Sequence, residues 1–189
     1  MAVSRENGRR GGPIVALAAA EKGVRCMTRL DSFILRMSAQ RACIELAARV
    51  LQSLPGPVLE LGLGNGRTYD HLRETFPQRE IFVFDMAVGA HPACIPAPQY
   101  LRLGDFRATV PAFRAEGRPP AAFIHGDIGS SNEAASRQLA AELADDLRLI
   151  LAPGGLLACD QPMTLPGLLA IPLPQGVDAG RYHIYRRES

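Results

Sequence analysis

The sequence lacks the usual marks of disulfide-bonded, zinc-binding or membrane-spanning proteins. Its four cysteines, Cys26, Cys43, Cys94 and Cys159, lie far apart, with no C-x-x-C pair and no histidines at zinc-finger spacing. This distribution favours reduced thiols in a cytoplasmic protein over a disulfide framework. An apolar run near the N-terminus, residues 14–20, has seven residues. That is the lower limit for the core of a signal peptide and far below the roughly 20 residues that span a bilayer.

The sequence also lacks a strong charge imbalance, internal repeats and low-complexity tracts. Its 21 basic and 19 acidic residues give a net charge of +2, so charge alone predicts no nucleic-acid partner. With 189 residues, of which 47% are hydrophobic and 21% charged, the chain has the material for one folded domain with its own core. We predict that residues 27–189 form this domain and that residues 1–26 are a loosely ordered extension.

A glycine-rich segment follows the first apolar run of the domain. Residues 58–61 read V-L-E-L, and glycines then stand at alternate positions, Gly62, Gly64 and Gly66. The pattern predicts a buried strand, a tight loop and the start of a helix. Glycine permits positive φ and close approach of a ligand to the backbone. The N-terminus of the helix then presents free N–H groups to an anionic part of that ligand.

The residues around these glycines separate two classes of nucleotide-binding protein. The dinucleotide fingerprint G-x-G-x-x-G requires glycine at position 67, which is Arg67 here. The sequence instead reads E-x-G-x-G-x-G from Glu60 to Gly66. In this it resembles the class I S-adenosylmethionine-dependent methyltransferases, whose first motif has this form. The resemblance implies that the loop receives the amino-acid end of S-adenosylmethionine.

Acids and other polar residues follow the later predicted strands. Residues 81–84 predict a second strand, which ends at Asp85, a position that favours hydrogen bonds to ribose hydroxyls. The alternative is a strand-end aspartate that caps a turn. A third strand, residues 100–103, leads into Gly104, Asp105 and Phe106. The resemblance implies that Asp105 accepts a hydrogen bond from the adenine amino group and that Phe106 packs on the ring.

Further predicted strands complete the pattern. Residues 121–124 precede His125 and Asp127, residues 156–159 precede Asp160, and two extended runs close the chain. Strands alternating with helices predict a doubly wound α/β fold. We expect a mostly parallel, seven-stranded sheet with a C-terminal antiparallel hairpin, the Rossmann-like fold of the methyltransferases. The ligand site of such a sheet lies at the carboxyl ends of the strands.

The predicted site residues therefore converge at one edge of the sheet. The predicted cofactor contacts are Glu60, Gly62, Gly64, Asn65, Gly66, Arg67, Thr68, Asp85, Met86, Gly104, Asp105, Phe106 and His125.

Three of the strand-end residues are the predicted catalytic groups: His125, Asp127 and Asp160. A methyl group on a sulfonium is already activated, so the enzyme must orient the acceptor and remove its proton. Imidazole titrates near neutral pH, and His125 is thus the preferred base. The segments around Asp127 and Asp160 also look similar to those of metal-dependent O-methyltransferases. His125 and Gln161 replace acids of that pattern, so we assign no metal ligand. Binding of a divalent cation is therefore one alternative role for these strand-end residues. A purely structural role in turns is another.

Two longer runs, residues 60–73 and 181–187, resemble a small bacterial family of S-adenosylmethionine methyltransferases without a defined substrate. The resemblance implies the cofactor and not the acceptor. Because little of the chain remains outside the core, we expect a small-molecule acceptor, methylated at oxygen or nitrogen. We expect a cytoplasmic enzyme without a nucleic-acid or membrane partner. Two alternatives stay open: a nicotinamide-dependent oxidoreductase and a catalytically silent S-adenosylmethionine-binding module. Arg67 and the C-terminal hairpin argue against the first.

Overall fold

The computed structural model describes residues 27–188, and its central element is a seven-stranded β-sheet. The strands are β1 (Val58–Leu61), β2 (Ile81–Asp85), β3 (Leu101–Leu103), β4 (Ala121–Gly126), β5 (Leu151–Cys159), β6 (Leu168–Ala170) and β7 (His183–Arg187). The helices are α1 (Arg29–Val50), α2 (Arg67–Thr75), α3 (Phe106–Ala115) and α4 (Glu133–Ile150). Two short 3₁₀ turns, Pro92–Cys94 and Pro98–Tyr100, interrupt the loop between β2 and β3. The predicted extension, residues 1–26, lies outside the described residues.

The strand order is β3-β2-β1-β4-β5-β7-β6. The first five strands are parallel, and β7 runs antiparallel to both β5 and β6. The predicted doubly wound sheet with a terminal hairpin is therefore confirmed. The chain order reverses between β1 and β4, and a doubly wound sheet opens a cleft at such a point, beyond the carboxyl ends of its strands.

Helices cover both faces of the sheet, and for this reason the central strands are apolar on both sides. All four residues of β1 are buried. Leu59 and Leu61 belong to the core layer beneath α3 and α4, whereas Val58 belongs to the layer beneath α1 and α2. Within residues 27–188, no helix combines the length and apolar character needed to cross a bilayer.

Helix α3 begins earlier than its proline suggests. Pro111 favours the first turn of a helix, but it lies inside α3 here, which starts at Phe106. Asp105 is the N-cap, and its Oδ1 accepts a hydrogen bond from the backbone N–H of Arg107 at 2.8 Å. The carboxylate of Asp105 is thereby used in a local backbone contact.

Candidate functional site

A cavity of about 260 Å³ opens at the predicted edge of the sheet, between the ends of β1, β2 and β4 and the side of α1. Nine predicted site residues line it: Gly62, Gly64, Asn65, Arg67, Thr68, Asp85, Met86, Phe106 and Asp127. Six others do not line it: Glu60, Gly66, Gly104, Asp105, His125 and Asp160. The structure thus divides the predicted residues into those that face the cavity and those that support its walls.

The three glycines of the loop all have positive φ, but the atoms that surround them differ. Gly62 has φ 98°, and a Cβ there would lie 2.5 Å from the carbonyl oxygen of Asp127. Gly66 has φ 84° and a Cβ would lie 2.4 Å from Cβ of Cys94, so this glycine allows the β2–β3 loop to pack on α2. At Gly64, φ is 49° and a Cβ would meet no other described atom within 4 Å. Gly64 is therefore the glycine that presents open backbone to the cavity.

Asp85 joins two walls of the cavity. Its Oδ2 accepts a hydrogen bond from the backbone N–H of Gly64 at 3.0 Å, and its Oδ1 lies 3.4 Å from the backbone nitrogen of Ala87. The carboxylate is consequently held at the end of β2 while it lines the cavity. An oriented acid at this place is suited to paired ribose hydroxyls.

A buried polar chain lies beneath the loop. Glu60 and His125 are both 0% exposed, and Glu60 Oε2 lies 2.6 Å from His125 Nδ1. The hydroxyl of Thr68, which lines the cavity, donates to Glu60 Oε1. On the far side, Tyr182 donates its hydroxyl proton to the carbonyl of Gly126 at 2.8 Å, while its oxygen lies 2.6 Å from His125 Nε2. The chain therefore connects α2, β1, β4 and the hairpin.

This hydrogen-bond arrangement indicates the charge state of His125. Because the single hydroxyl proton of Tyr182 is donated to Gly126, Nε2 of His125 donates to Tyr182, and Nδ1 donates to Glu60. Burial opposes this imidazolium, but the charge and hydrogen bond of Glu60, with the charges of Asp127 and Asp160, raise the pKa of His125 above its usual value. Both ring nitrogens of His125 are therefore engaged within the protein, and His125 does not line the cavity; its roles as base and cofactor contact stay predictions.

The two aspartates predicted to be catalytic, Asp127 and Asp160, differ in their surroundings. Asp127 lines the cavity, its Oδ1 is buried without a hydrogen-bond partner among the described residues, and Nη1 of Arg36 lies 3.8 Å away. Asp160 instead accepts hydrogen bonds from the backbone N–H groups of Ile128 at 3.0 Å and Gly129 at 2.9 Å. Burial and the charge of Asp127 raise the pKa of Asp160. The hydrogen bonds to its carboxylate lower this pKa, but the net effect is a rise. Of these two acids, only Asp127 lines the first cavity.

A second cavity, of about 400 Å³, adjoins the first across Arg36. It is lined by Arg36, Asp160, Asp178, Ala179, Gly180 and Arg181. It thus lies between α1, the end of β5 and the loop that precedes β7.

The divalent-cation alternative lacks a ligand set. In the part of the chain that the structure describes, no three His, Cys, Asp or Glu side chains are grouped so as to hold a metal ion. Both nitrogens of His125 are engaged, so it cannot join Asp127 and Asp160 as a ligand.

Sequence reasoning missed five residues that line the first cavity: Arg36, Met37, Gln40, Leu63 and Ile128. Three of them come from α1, which precedes the first strand and was not part of the strand and helix pattern used to predict the site. One signal was present in the sequence, because Gln40 interrupts an apolar helical stripe between Met37 and Ile44.

Comparison with known proteins identifies the family. Residues 27–187 match the model of an S-adenosyl-L-methionine methyltransferase family. The chain belongs to this family. Its cofactor is S-adenosylmethionine. The glycine loop, Asp85 and Phe106, which were predicted to contact this cofactor, all contribute residues to the wall of the cavity. This family match rules out the alternative of a nicotinamide-dependent oxidoreductase.

Solved structures agree with this assignment. An S-adenosyl-L-methionine methyl transferase from Silicibacter pomeroyi DSS-3 is 45% identical, covering 85% of this chain and 98% of its own, with a TM-score of 0.81. Human methyltransferase-like protein 13, solved with S-adenosylhomocysteine (SAH), is 14% identical over 81% of each chain, with a TM-score of 0.53. TrmN from Thermus thermophilus is 16% identical, covering 85% of this chain and 53% of its own, with a TM-score of 0.57. The last two show the fold alone. A search of curated proteins found no match.

We expect Asp85→Asn to weaken SAH binding by about tenfold. If Asp85 accepts hydrogen bonds from the ribose, as predicted, the change removes the charge from the acceptor, and a charged acceptor contributes about 1.4 kcal/mol more than a neutral one. Isothermal titration calorimetry measures the effect. Asp70→Asn is a matched control, because Asp70 is an exposed acid on α2 that pairs with Arg73. Equal SAH affinity in Asp85→Asn and wild type would contradict the assignment.

A separate substitution distinguishes the two roles of Asp105. If Asp105 acts as the cap of α3, Asp105→Ala should lower the free energy of unfolding by about 1 kcal/mol and leave SAH affinity within about twofold. Asp105→Ser, which keeps a capping oxygen, should restore most of the stability. Urea unfolding and calorimetry measure the two quantities. A tenfold loss of SAH affinity without loss of stability would instead support the predicted adenine contact.

Proposed function

We propose that this methyltransferase methylates a small molecule at an oxygen or nitrogen atom, with the acceptor held in the 400 Å³ cavity beside Arg36. The observation that carries the proposal is the position of Asp127. Asp127 lines the cofactor cavity, and its buried Oδ1 has no hydrogen-bond partner among the described residues. Nη1 of Arg36, the arginine that lines both cavities, lies 3.8 Å from this oxygen. An acid at this junction can contact a group that enters from the second cavity.

The proposed chemistry needs little from the protein beyond placement. Bound S-adenosylmethionine supplies a methyl group that is already activated by the sulfonium. The carboxylate of Asp127 would orient the acceptor O–H or N–H. It would take the acceptor's proton as the bond from the acceptor to the methyl carbon forms and the carbon–sulfur bond breaks, which leaves S-adenosylhomocysteine. Asp160 fixes the loop after β4 through Ile128 and Gly129, which keeps Asp127 in place. The Glu60–His125 pair supports the glycine loop from below and takes no part in proton transfer.

The size and charge of the site support a small acceptor. Cavities of roughly 300–1,000 Å³ are typical of small-molecule sites, and the second cavity falls in that range. The near-balanced net charge of +2 does not by itself favour nucleic acid as the acceptor. The three cysteines of the described residues, Cys43, Cys94 and Cys159, are unpaired, which supports our proposal of a reducing, cytoplasmic location.

A labelled methyl-transfer screen tests the proposal. The full chain is incubated with S-adenosylmethionine carrying a labelled methyl group and with a fractionated metabolite extract from bacteria. We expect label in a low-molecular-mass product, at an oxygen or nitrogen atom. Label in protein or nucleic acid only would contradict the small-molecule acceptor. Tight SAH binding without transfer to any fraction would favour a silent cofactor-binding module.

A further inference from the structure

Gln40 is a buried polar residue with no explanation in the fold. It lies in the middle of α1, is 1% exposed and lines the cofactor cavity. Its side-chain Nε2 and Oε1 are both buried and have no hydrogen-bond partner within residues 27–188. Buried amides are almost always hydrogen-bonded in folded proteins, because leaving one unpaired destabilises the folded state. A bound group that offers both a donor and an acceptor would satisfy Gln40.

The layout of the cavity indicates which part of the cofactor lies near Gln40. Asp85 and Phe106 lie on the side of β2 and β3, and the glycine loop occupies the middle. Gln40 lies on the opposite side, where α1 packs against α2 beside Thr68. With the ribose at Asp85, the nucleoside occupies the first side. The amino-acid end therefore extends towards α1.

The amino-acid end has the complementary chemistry. Its carboxylate accepts hydrogen bonds and its ammonium donates them, whereas an amide side chain offers two N–H donors and one carbonyl acceptor. Hydrogen bonds to charged groups are stronger than those between neutral groups. We infer that the Gln40 amide recognises the amino-acid end of S-adenosylmethionine, with Nε2 donating to the carboxylate and Oε1 accepting from the ammonium. Gln40 is then a cofactor-specificity residue that holds α1 against the bound cofactor. This inference concerns the cofactor alone and does not depend on the proposed acceptor.

Gln40→Met tests the inference by comparing two ligands. Methionine keeps the length of the side chain and removes its polar atoms. We expect SAH affinity to fall about tenfold, whereas the affinity of 5′-methylthioadenosine, which lacks the amino-acid end, stays within about twofold. The melting temperature of the ligand-free protein should rise, because an unpaired buried amide is removed. A purely structural role would not give a higher melting temperature together with a ligand-selective loss.

Controls keep the two ligands comparable. Gln138→Met on α4 is the matched control, because Gln138 is exposed and bonded to Glu142, and it should change neither affinity. Gln40→Leu is a second variant in case Gln40→Met does not fold. It also removes both polar atoms of the side chain and should weaken SAH more than methylthioadenosine. Equal losses for both ligands, or no loss for either, would overturn the inference whether or not methyl transfer has been detected.

Discussion

Asp127→Asn is expected to lower kcat for methyl transfer by about 100-fold while SAH affinity stays within about threefold. A positioned general base typically accounts for a factor of about 10²–10⁴ in rate. Asparagine keeps the shape of the side chain and loses the ability to take a proton. The Oδ1 of Asp127 has no hydrogen-bond partner in the described protein, so the substitution leaves no donor newly unpaired.

The measurement uses the acceptor found in the labelled screen, under saturating cofactor, with calorimetry for SAH. Asp145→Asn on α4 is the control, since Asp145 is an exposed acid that pairs with Arg148. Asp127→Glu should recover part of the rate because it retains a carboxylate. A kcat of Asp127→Asn within threefold of wild type would remove Asp127 as the base.

Glu60→Leu is expected to lower the free energy of unfolding by about 3–5 kcal/mol. Removal of one partner of a buried ion pair leaves the other charge without compensation, and losses of about this size result. His125 would lose the acceptor at 2.6 Å from its Nδ1 while remaining 0% exposed. Because whole domains are stable by only about 5–15 kcal/mol, the variant should be close to unfolding.

Denaturant unfolding measures this change. The double variant Glu60→Leu/His125→Leu should be more stable than Glu60→Leu alone, because it removes the unpaired charge together with its partner. Glu116→Gln is the surface comparison. Glu116 pairs with Arg102 and Arg118 near solvent, where such pairs contribute about 1 kcal/mol or less. A loss below 1 kcal/mol in Glu60→Leu would contradict the buried ion pair.

The contribution of this pair should depend on pH in one direction. The pKa of His125 is raised in the folded protein, so the folded state binds the proton more tightly than the unfolded state. The stabilisation is complete below the ordinary histidine pKa of about 6.5 and is lost as the pH rises through the folded-state pKa. The stability difference between wild type and Glu60→Leu should therefore be greatest at mildly acidic pH.

Several parts of the site are predictable from sequence because their signals are local. The glycine loop follows from alternate glycines after an apolar run, and the parallel sheet follows from alternating strands and helices. Asp85 could be placed at the end of β2 because a strand and its next residue are adjacent in the chain. Asp127 could be placed at the cavity edge for the same reason. The cofactor followed from family resemblance, and the family match supports it.

Side-chain directions and distant contacts could not be predicted in this way. Glu60 and His125 are register partners across β1 and β4, although 65 positions separate them. In a strand, successive side chains point to opposite faces, so a shift of one residue would move Glu60 to the opposite face of the sheet. Asp105 matched the family pattern at an adenine contact, but its hydrogen bond as the cap of α3 depends on the start of that helix at Phe106 and could not be predicted from the pattern.

The sequence by itself determined the order of the elements, the glycine loop and the acids at the strand ends, because each depends on residues that are neighbours in the chain. Tertiary structure decided which of these groups line the cavity. It placed Glu60 with His125 and Tyr182 in the core, left Asp127 at the cavity, and brought Gln40 from α1 to the cavity wall. The physical reason is that strand register and helix packing set the exposure and partners of each side chain, and both depend on contacts between distant parts of the chain.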